Sequence, residues 1–429
     1  MTDVRAADAV PGTGSTAASR WTADAMQRRL RRRYAFERGF KLTGLAAICL
    51  SILFLAFLLW NMGSQGIGGF TQYQAALPID FAKSDLFLDP AALRGPDAEQ
   101  TVANADLSGA VSKAATTAYG PEAAEMFSDG ATTLLTKEIV RNPSILNGQA
   151  TLWLPVGGKI DTAAKHQGDA ASERIVTALK QKHALRRAFN AQFLKGSDAT
   201  DPSAVGVWGA LKGTFYTILV TILLAFPIGV LASVYLEEFA PKSWLSDAIE
   251  VSINNLAAVP SIIFGLLGLA VFLDVMNLPR SAPLVGGMTL ALMTFPVIVI
   301  AGRNAIKSVP PSIREAALGV GASKLQVTFH HVLPLALPGI LTGTIIGVAR
   351  ALGETAPLLL IGMRAFVAAP PGGISDPATV LPVQIFLWSD EVDRSFVEKT
   401  SAAIIVLLLF MLLMNGLAIY LRNRFERRW

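Results

Sequence analysis

Six apolar blocks, at about residues 42–60, 214–236, 256–273, 284–301, 337–361 and 402–421, constrain this chain more than any other feature. Each approaches or exceeds the ~20 residues that cross a hydrocarbon core about 30 Å thick as an α-helix. Lipid offers backbone amides no water to bond, so segments of this length can cross only as helices. Composition agrees, with 52% of the 429 residues hydrophobic and 16% charged, against roughly 25% charged in soluble domains. The expected fold is an all-α polytopic membrane protein with six transmembrane helices.

Several functions are excluded at this stage. The single cysteine, Cys49, lies within the first block, which rules out a disulfide framework and a cysteine-based metal site. His166, His183, His330 and His331 lack metal-ligand spacing, so no metal site is expected. The nearest approach to a phosphate-binding glycine loop, at Gly158-Lys159, has Trp153 where the first glycine belongs and Ile160 where the hydroxyl belongs. The chain is therefore expected to hold no cofactor and to catalyse no reaction. Its arginines flank the spans, so a net charge of +5 reads as a topology signal and not as a nucleic-acid footprint.

That charge pattern sets the orientation. Residues 1–41 form a basic tail, disordered over 1–20, in which Arg28, Arg29, Arg31, Arg32, Arg33, Arg38 and Lys41 crowd the first span and hold the N-terminus in the cytoplasm. The first span, 42–61, is too long and too far along the chain for a signal peptide and reads as an uncleaved anchor. Residues 62–205, polar and nearly charge-balanced, then form an extracytoplasmic insertion. Helical patterning at 122–141 and 170–195 and a strand and turn at 150–160 predict a small α+β domain. Lys180, Lys182, Arg186 and Arg187 read there as one solvated helix face.

Five further spans fill residues 206–421, and Arg422, Arg424, Arg427 and Arg428 in the tail 422–429 return the C-terminus to the cytoplasm. Arg303, Lys307, Arg314 and Lys324, between spans four and five, agree. The loop after span two does not, since Glu237, Glu238, Asp247 and Glu250 face only Lys242. Acidic residues weigh little in orientation, and the topology stands. Pro260 and Gly265 predict a kink in span three.

The cytoplasmic loop 308–334 carries a signature. Pro310 and Pro311 stop one helix, and Ser312 with Glu315 reads as a capping box for the next, which Gly319 and Gly321 end. Ser323 with Gln326 is a second capping box, opening a helix that runs to Pro334. A helix, a glycine turn and a second helix suit a docking knob for a cytoplasmic partner. The pattern Glu315-Ala316-Ala317, three residues, Gly321, nine residues, then x-x-Leu333-Pro334 resembles the EAA loop of ABC importer permeases, with His331 in place of the usual Ile. The resemblance implies that the loop sits in a groove of an ATPase subunit, with Glu315, Ala316, Ala317 and Gly321 as contact or geometry residues.

Span five adds a charged stripe. At 100° per residue Gly339, Gly343, Gly347, Arg350 and Glu354 fall within an arc of about 80°. Small residues at this spacing admit a neighbouring helix, which places Arg350 inside the bundle. Counted from Pro338, Arg350 lies about 18 Å along the helix, near the bilayer midplane. An ion at that depth marks a transport pathway, and a planar guanidinium beside a carboxylate suits a tetrahedral oxyanion. The residues leave open whether this is phosphate, sulfate or molybdate.

Ala349-Arg350-Ala351-Leu352-Gly353-Glu354-Thr355-Ala356-Pro357-Leu358-Leu359 resembles one of the two permease types of the bacterial phosphate ABC importer, and Ala356-Pro357 after Glu354-Thr355 favours that type over the other. Tyr235-Leu236-Glu237-Glu238 and the stretch from Asn255 to Leu266 are similar to segments shared by both permeases of that importer. The likeness covers about residues 205–425 and implies a type I ABC importer permease architecture. It further implies inorganic phosphate as cargo and the inner membrane as location. The implied partners are a second permease, a dimeric ATPase that binds ATP and Mg, and a periplasmic phosphate-binding protein. The insertion resembles an extended N-terminal region of some bacterial members. A membrane sensor is the rival from another class, but it needs an output module for which the tails leave no room.

Overall fold

The computed structural model describes residues 24–425 apart from 85, 87, 89–92, 94, 96–97 and 167. The disorder expected at 1–20, together with Arg427 and Arg428, lies outside those residues. The chain divides into two bodies, 1–61 and 62–429. In the first, helix α1 (Asp24–Gly69) begins, and its apolar side chains from Leu42 to Trp60 are exposed all round. A helix with no polar face is a lipid-facing span.

The second body opens with the insertion. Strand β1 (Thr71–Asp80) is the centre of an antiparallel sheet in the order β2-β1-β3, with β2 at Gln149–Pro155 and β3 at Leu185–Phe189. Ala75, Leu77 and Ile79 alternate inward and are covered by Val111 and Ala115 of α2 (Leu107–Tyr119) and by Leu135 and Ile139 of α3 (Asp129–Arg141). Helices α4 (Gly158–Lys165) and α5 (Ala170–Gln181) complete the domain.

Two expected helices are shorter than their patterning. Glu122 belongs to a separate turn that starts at Pro121, and α3 begins only at Asp129. After α5, His183 takes a left-handed φ of 50° and the chain returns as β3. Arg186 and Arg187 therefore stand on a strand and not on a helix face. Arg186 lies 4.4 Å above the Trp153 ring and donates to Gln74, while Lys182 lies over Tyr119.

Among the described residues five helices are long and apolar enough to cross a membrane, and a sixth candidate is a bent pair of helices. The first lies within α1. The others contain α6 (Trp208–Val234), the pair α7 (Trp244–Ala257) and α8 (Ser261–Gly268), α9 (Pro283–Lys307), α11 (Leu333–Gly353) and α14 (Ser395–Phe425). Shorter helices are α10 (Pro311–Gly319), α12 (Ala356–Leu360) and α13 (Leu381–Ser389). The kink in span three is a 100° break at Pro260, which serves as the N-cap of α8. Gly265 has another use: a Cβ there would sit 2.6 Å from Cα of Pro357, so its absence lets α12 approach.

Helix α9 is the axis of the membrane part, packed along α6 and α11. Small residues bring the pairs close, and a Cβ on Gly229 would meet Ile298 at 2.7 Å. Span five departs from expectation at both ends. The helix opened by Ser323 does not stop at Pro334; it runs through a π-helical turn, Val327–Val332, into α11. Pro334 falls in the first turn of α11, where the widened turn absorbs its missing N–H. At the far end α11 stops at Gly353 instead of Ile361. Pro357 has no N–H for the Gly353 carbonyl, so Glu354 is extended, at φ −79° and ψ 124°, and the chain restarts as α12.

Candidate functional site

The loop between spans four and five is built around α10. Pro310 is its N-cap and Pro311 its first residue, which leaves Ser312 already inside the helix without a capping bond, contrary to the expected first capping box. The second box is present: Ser323 Oγ accepts from the Gln326 N–H at 3.3 Å and Gln326 Oε1 accepts from the Ser323 N–H at 2.9 Å. Gly321 makes the turn between them at φ 90°, a conformation that side chains disfavour. Glu315 and Ala316 are exposed, whereas Ala317 is buried with Val309, Val327 and Val332. Leu318, Val320 and Leu325 add an exposed apolar rim, with Val320 87% exposed, that the motif does not mark. His331, the departure from that motif, is exposed on the π-helical turn.

Beneath this knob lies an ionic clamp. Arg314 donates through Nη2 at 2.7 Å and Nε at 3.1 Å to Glu238 Oε1, and also to the carbonyls of Ile306 and Val309. Arg303 donates to Glu250 at 2.8 Å and to Glu237 at 3.4 Å, and Lys307 lies 3.7 Å from Glu237. Glu237 and Glu238 stand on a π-helical turn, Tyr235–Phe239, that extends α6. The acidic loop that disagreed with the charge pattern is thus the counterpart of the basic loop, and the two neutralise each other. Partners 53 to 76 residues apart share no local signal in sequence.

In span five, Gly339, Gly343 and Gly347 face α9. A Cβ on Gly339 would lie 2.7 Å from that of Ala305 and one on Gly347 3.0 Å from Cγ2 of Thr294, while Gly343 abuts Ala301. Gly343→Leu is expected to lower the unfolding temperature of the detergent-solubilised protein by about 5 °C through overpacking. Gly416→Leu, at a position with open space around it, is the control and should leave it unchanged.

Arg350 is not inside the bundle of this chain. Its side chain is 50% exposed, with Nε 3.6 Å from Oε1 of Glu354. The i, i+4 ridge of a helix is inclined to its axis and advances about 40° per step. By the last turn the buried line has moved on to Gly347, Val348, Ala351 and Leu352, and Arg350 has turned off it. The structure brings Arg350 and Glu354 together at one end of α11 and sets Glu315, Ala316, Ala317 and Gly321 in the loop that precedes its other end. Sequence reading also missed Asp198, whose carboxylate accepts from the Trp388 indole at 3.1 Å. Burial pushes that carboxyl above its ordinary range.

Known proteins are similar to this chain in sequence. Residues 225–429 match the family described as "Binding-protein-dependent transport system inner membrane component", and residues 27–174 match a domain of unknown function, DUF3333. The "Phosphate transport system permease protein PstA" of Yersinia pestis is 31% identical over 214 residues, which are 50% of this chain and 71% of that protein. The "Probable ABC transporter permease protein YqgI" of Bacillus subtilis is 30% identical over 207 residues, 46% of this chain and 70% of that protein. This chain belongs to the PstA-type permease family of ABC importers.

Among solved structures, the inward-facing MetNI methionine ABC transporter is similar at 19% identity and a TM-score of 0.40, covering 52% of this chain and 95% of that one. As a PstA-type permease the chain is a multi-pass transmembrane component of a transport system. The permease match begins within α6 and contains the clamp, the loop 308–334 and the Arg350–Glu354 pair. The insertion falls largely in the domain of unknown function.

Proposed function

We propose that this chain forms half of the translocation pore of an ATP-driven importer of inorganic phosphate in the bacterial inner membrane. The other half is a second, related permease. A separate ATPase dimer binds ATP and Mg, and an extracytoplasmic protein delivers phosphate. The termini and the loop 308–334 are cytoplasmic, and the insertion 62–205 is outside. The observation that carries this reading is the Arg350–Glu354 pair, its arginine half-exposed at the end of a glycine-packed span, in a segment similar to the phosphate permeases. The names of relatives such as the Yersinia pestis protein support the cargo.

The geometry suggests how force travels. The exposed Glu315 and Ala316, with the apolar rim of Leu318, Val320 and Leu325, offer α10 to the groove of the ATPase. ATP binding draws the two permeases' coupling helices together. Arg314 passes the displacement to Glu238 on span two, while α10 and α11 are joined through the continuous helix that starts at Ser323. The pore then turns from inward-facing to outward-facing, and phosphate passes Arg350.

The test is the complex reconstituted in liposomes, with labelled phosphate uptake and ATP hydrolysis measured together. Hydrolysis stimulated by phosphate-loaded binding protein and not by sulfate, with ATP-dependent accumulation, is the expected result. Response to sulfate alone would overturn the cargo, and failure to recruit an ATPase would overturn the permease role. Glu315→Arg is expected to leave the fold intact, since the residue is exposed, and to cut uptake at least about tenfold by placing a cation at the docking face. Wild-type uptake by that variant would remove Glu315 from the interface.

A further inference from the structure

The insertion is fastened to the last span by a buried ionic cluster drawn from three separated stretches of chain. On α4, Lys165 Nζ lies 2.6 Å from Asp161 Oδ2 and 2.8 Å from Oε2 of Glu398, in the first turns of α14. The same ammonium donates to the carbonyls of Gly68 and Thr71, each at 2.8 Å. The second oxygen of Glu398 is 2.7 Å from His166 Nε2, and Asp161 Oδ1 accepts from the Tyr73 N–H at 2.7 Å. Lys399, 3% exposed, donates to the Gly69 carbonyl at 3.2 Å and lies over the Phe193 ring.

Close packing surrounds these charges. Thr162 Oγ1 and Ser395 Oγ are 3.2 Å apart across the same interface. A Cβ on Gly68 would lie 2.7 Å from the Glu398 carboxylate, and one on Gly69 2.6 Å from Cβ of Ala402. The side chains of Lys165 and Glu398 are only 6% and 11% exposed. Lys165–Glu398 is the ion pair that crosses the interface, and removing one partner would leave the other buried and uncompensated, which is the costly change at a buried ion pair. The contact is apolar as well as ionic, since Phe193 and Val205 of the insertion share one buried cluster with Phe396, Ala402 and Ala403 of α14, and apolar interdomain contacts hold domains fixed where purely polar ones let them move.

We propose that the insertion and α14 move as one rigid body, so that the insertion is an extracytoplasmic lever on the last span. Helix α14 packs along α11, with Arg422 Nη1 3.5 Å from Thr342 Oγ1, and α11 carries Arg350 at its end. A load placed on the insertion is thereby delivered to the span that bears the candidate site. The rigid contact stands on the geometry alone; its use as a lever rests on the transport reading above.

Two measurements on the full chain separate these statements. In hydrogen exchange of the purified protein, Lys165→Met is expected to speed exchange of residues 158–166 and 395–402 together, by about 100-fold. Acceleration of one segment alone, or of neither, overturns the latch, and transport plays no part in that readout. In the assembled complex, Thr162→Cys with Ser395→Cys, on a background in which Cys49 is Ser, is expected to form a disulfide on mild oxidation. Uptake by the bridged complex should stay within about twofold of the reduced form, because the interface does not open during the cycle. Failure of the bridge to form, or uptake lost on oxidation and regained on reduction, would overturn the rigid body.

Discussion

Arg350→Gln is expected to reduce ATP-driven phosphate accumulation by about two orders of magnitude while the complex still assembles. Glutamine keeps a hydrogen-bonding amide but is shorter and loses the forked, charged donor set, and a charge-assisted hydrogen bond contributes about 1.5–3 kcal/mol. Because Arg350 is half-exposed and no close packing depends on its charge, the unfolding temperature should move by no more than about 2 °C. Labelled phosphate uptake in proteoliposomes, read beside size-exclusion profiles of the complex, checks both halves. Wild-type uptake would exclude Arg350 from the pathway. Glu354→Gln should fail differently, holding phosphate longer on the freed guanidinium and slowing turnover by about tenfold.

The second large effect falls on the clamp. Glu238 is 9% exposed at its side chain, and Arg314→Met would leave it buried without its cation, a loss of about 3 kcal/mol. The expected result is a complex that hydrolyses ATP but moves little phosphate, because α10 no longer holds span two. The charge exchange Arg314→Glu with Glu238→Arg should recover part of the coupling. Recovery stays incomplete because the carbonyls of Ile306 and Val309 lose their donor. The number of ATP molecules consumed per phosphate moved, compared across wild type, both single variants and the pair, shows whether the two residues act together. An unchanged ratio in both single variants would show that force takes another route.

The membrane part was legible in sequence because lipid leaves a long apolar segment few options. The turn at Gly321 and the Ser323–Gln326 box were legible because their chemistry is local. What escaped depends on residues far apart. Strand β1 carries Pro78, which weakens the strand signal, and tolerates it because β3 pairs only with Thr71–Ala75 and leaves Pro78 against β2 alone. Ser312 lost its cap to Pro310, because the helix starts earlier than the pattern implied. The acidic loop after span two made sense only once Arg303, Lys307 and Arg314 lay against it. Arg350 was misplaced because a straight stripe ignores the slant of helix ridges, an error that grows with each turn and is largest at the end of the span.

The termination of α11 at Gly353 has an electrostatic corollary. Peptide dipoles along a helix of this length add to about half a negative charge at its C-terminus, where Arg350 occupies the last turn. Together with Glu354 this slightly outweighs the guanidinium, so the local field is weakly negative even with the arginine in place. An arriving anion finds good donors but no net attraction. Such a position favours brief occupancy over tight capture, and selectivity and accumulation then fall to the delivering protein and the ATPase.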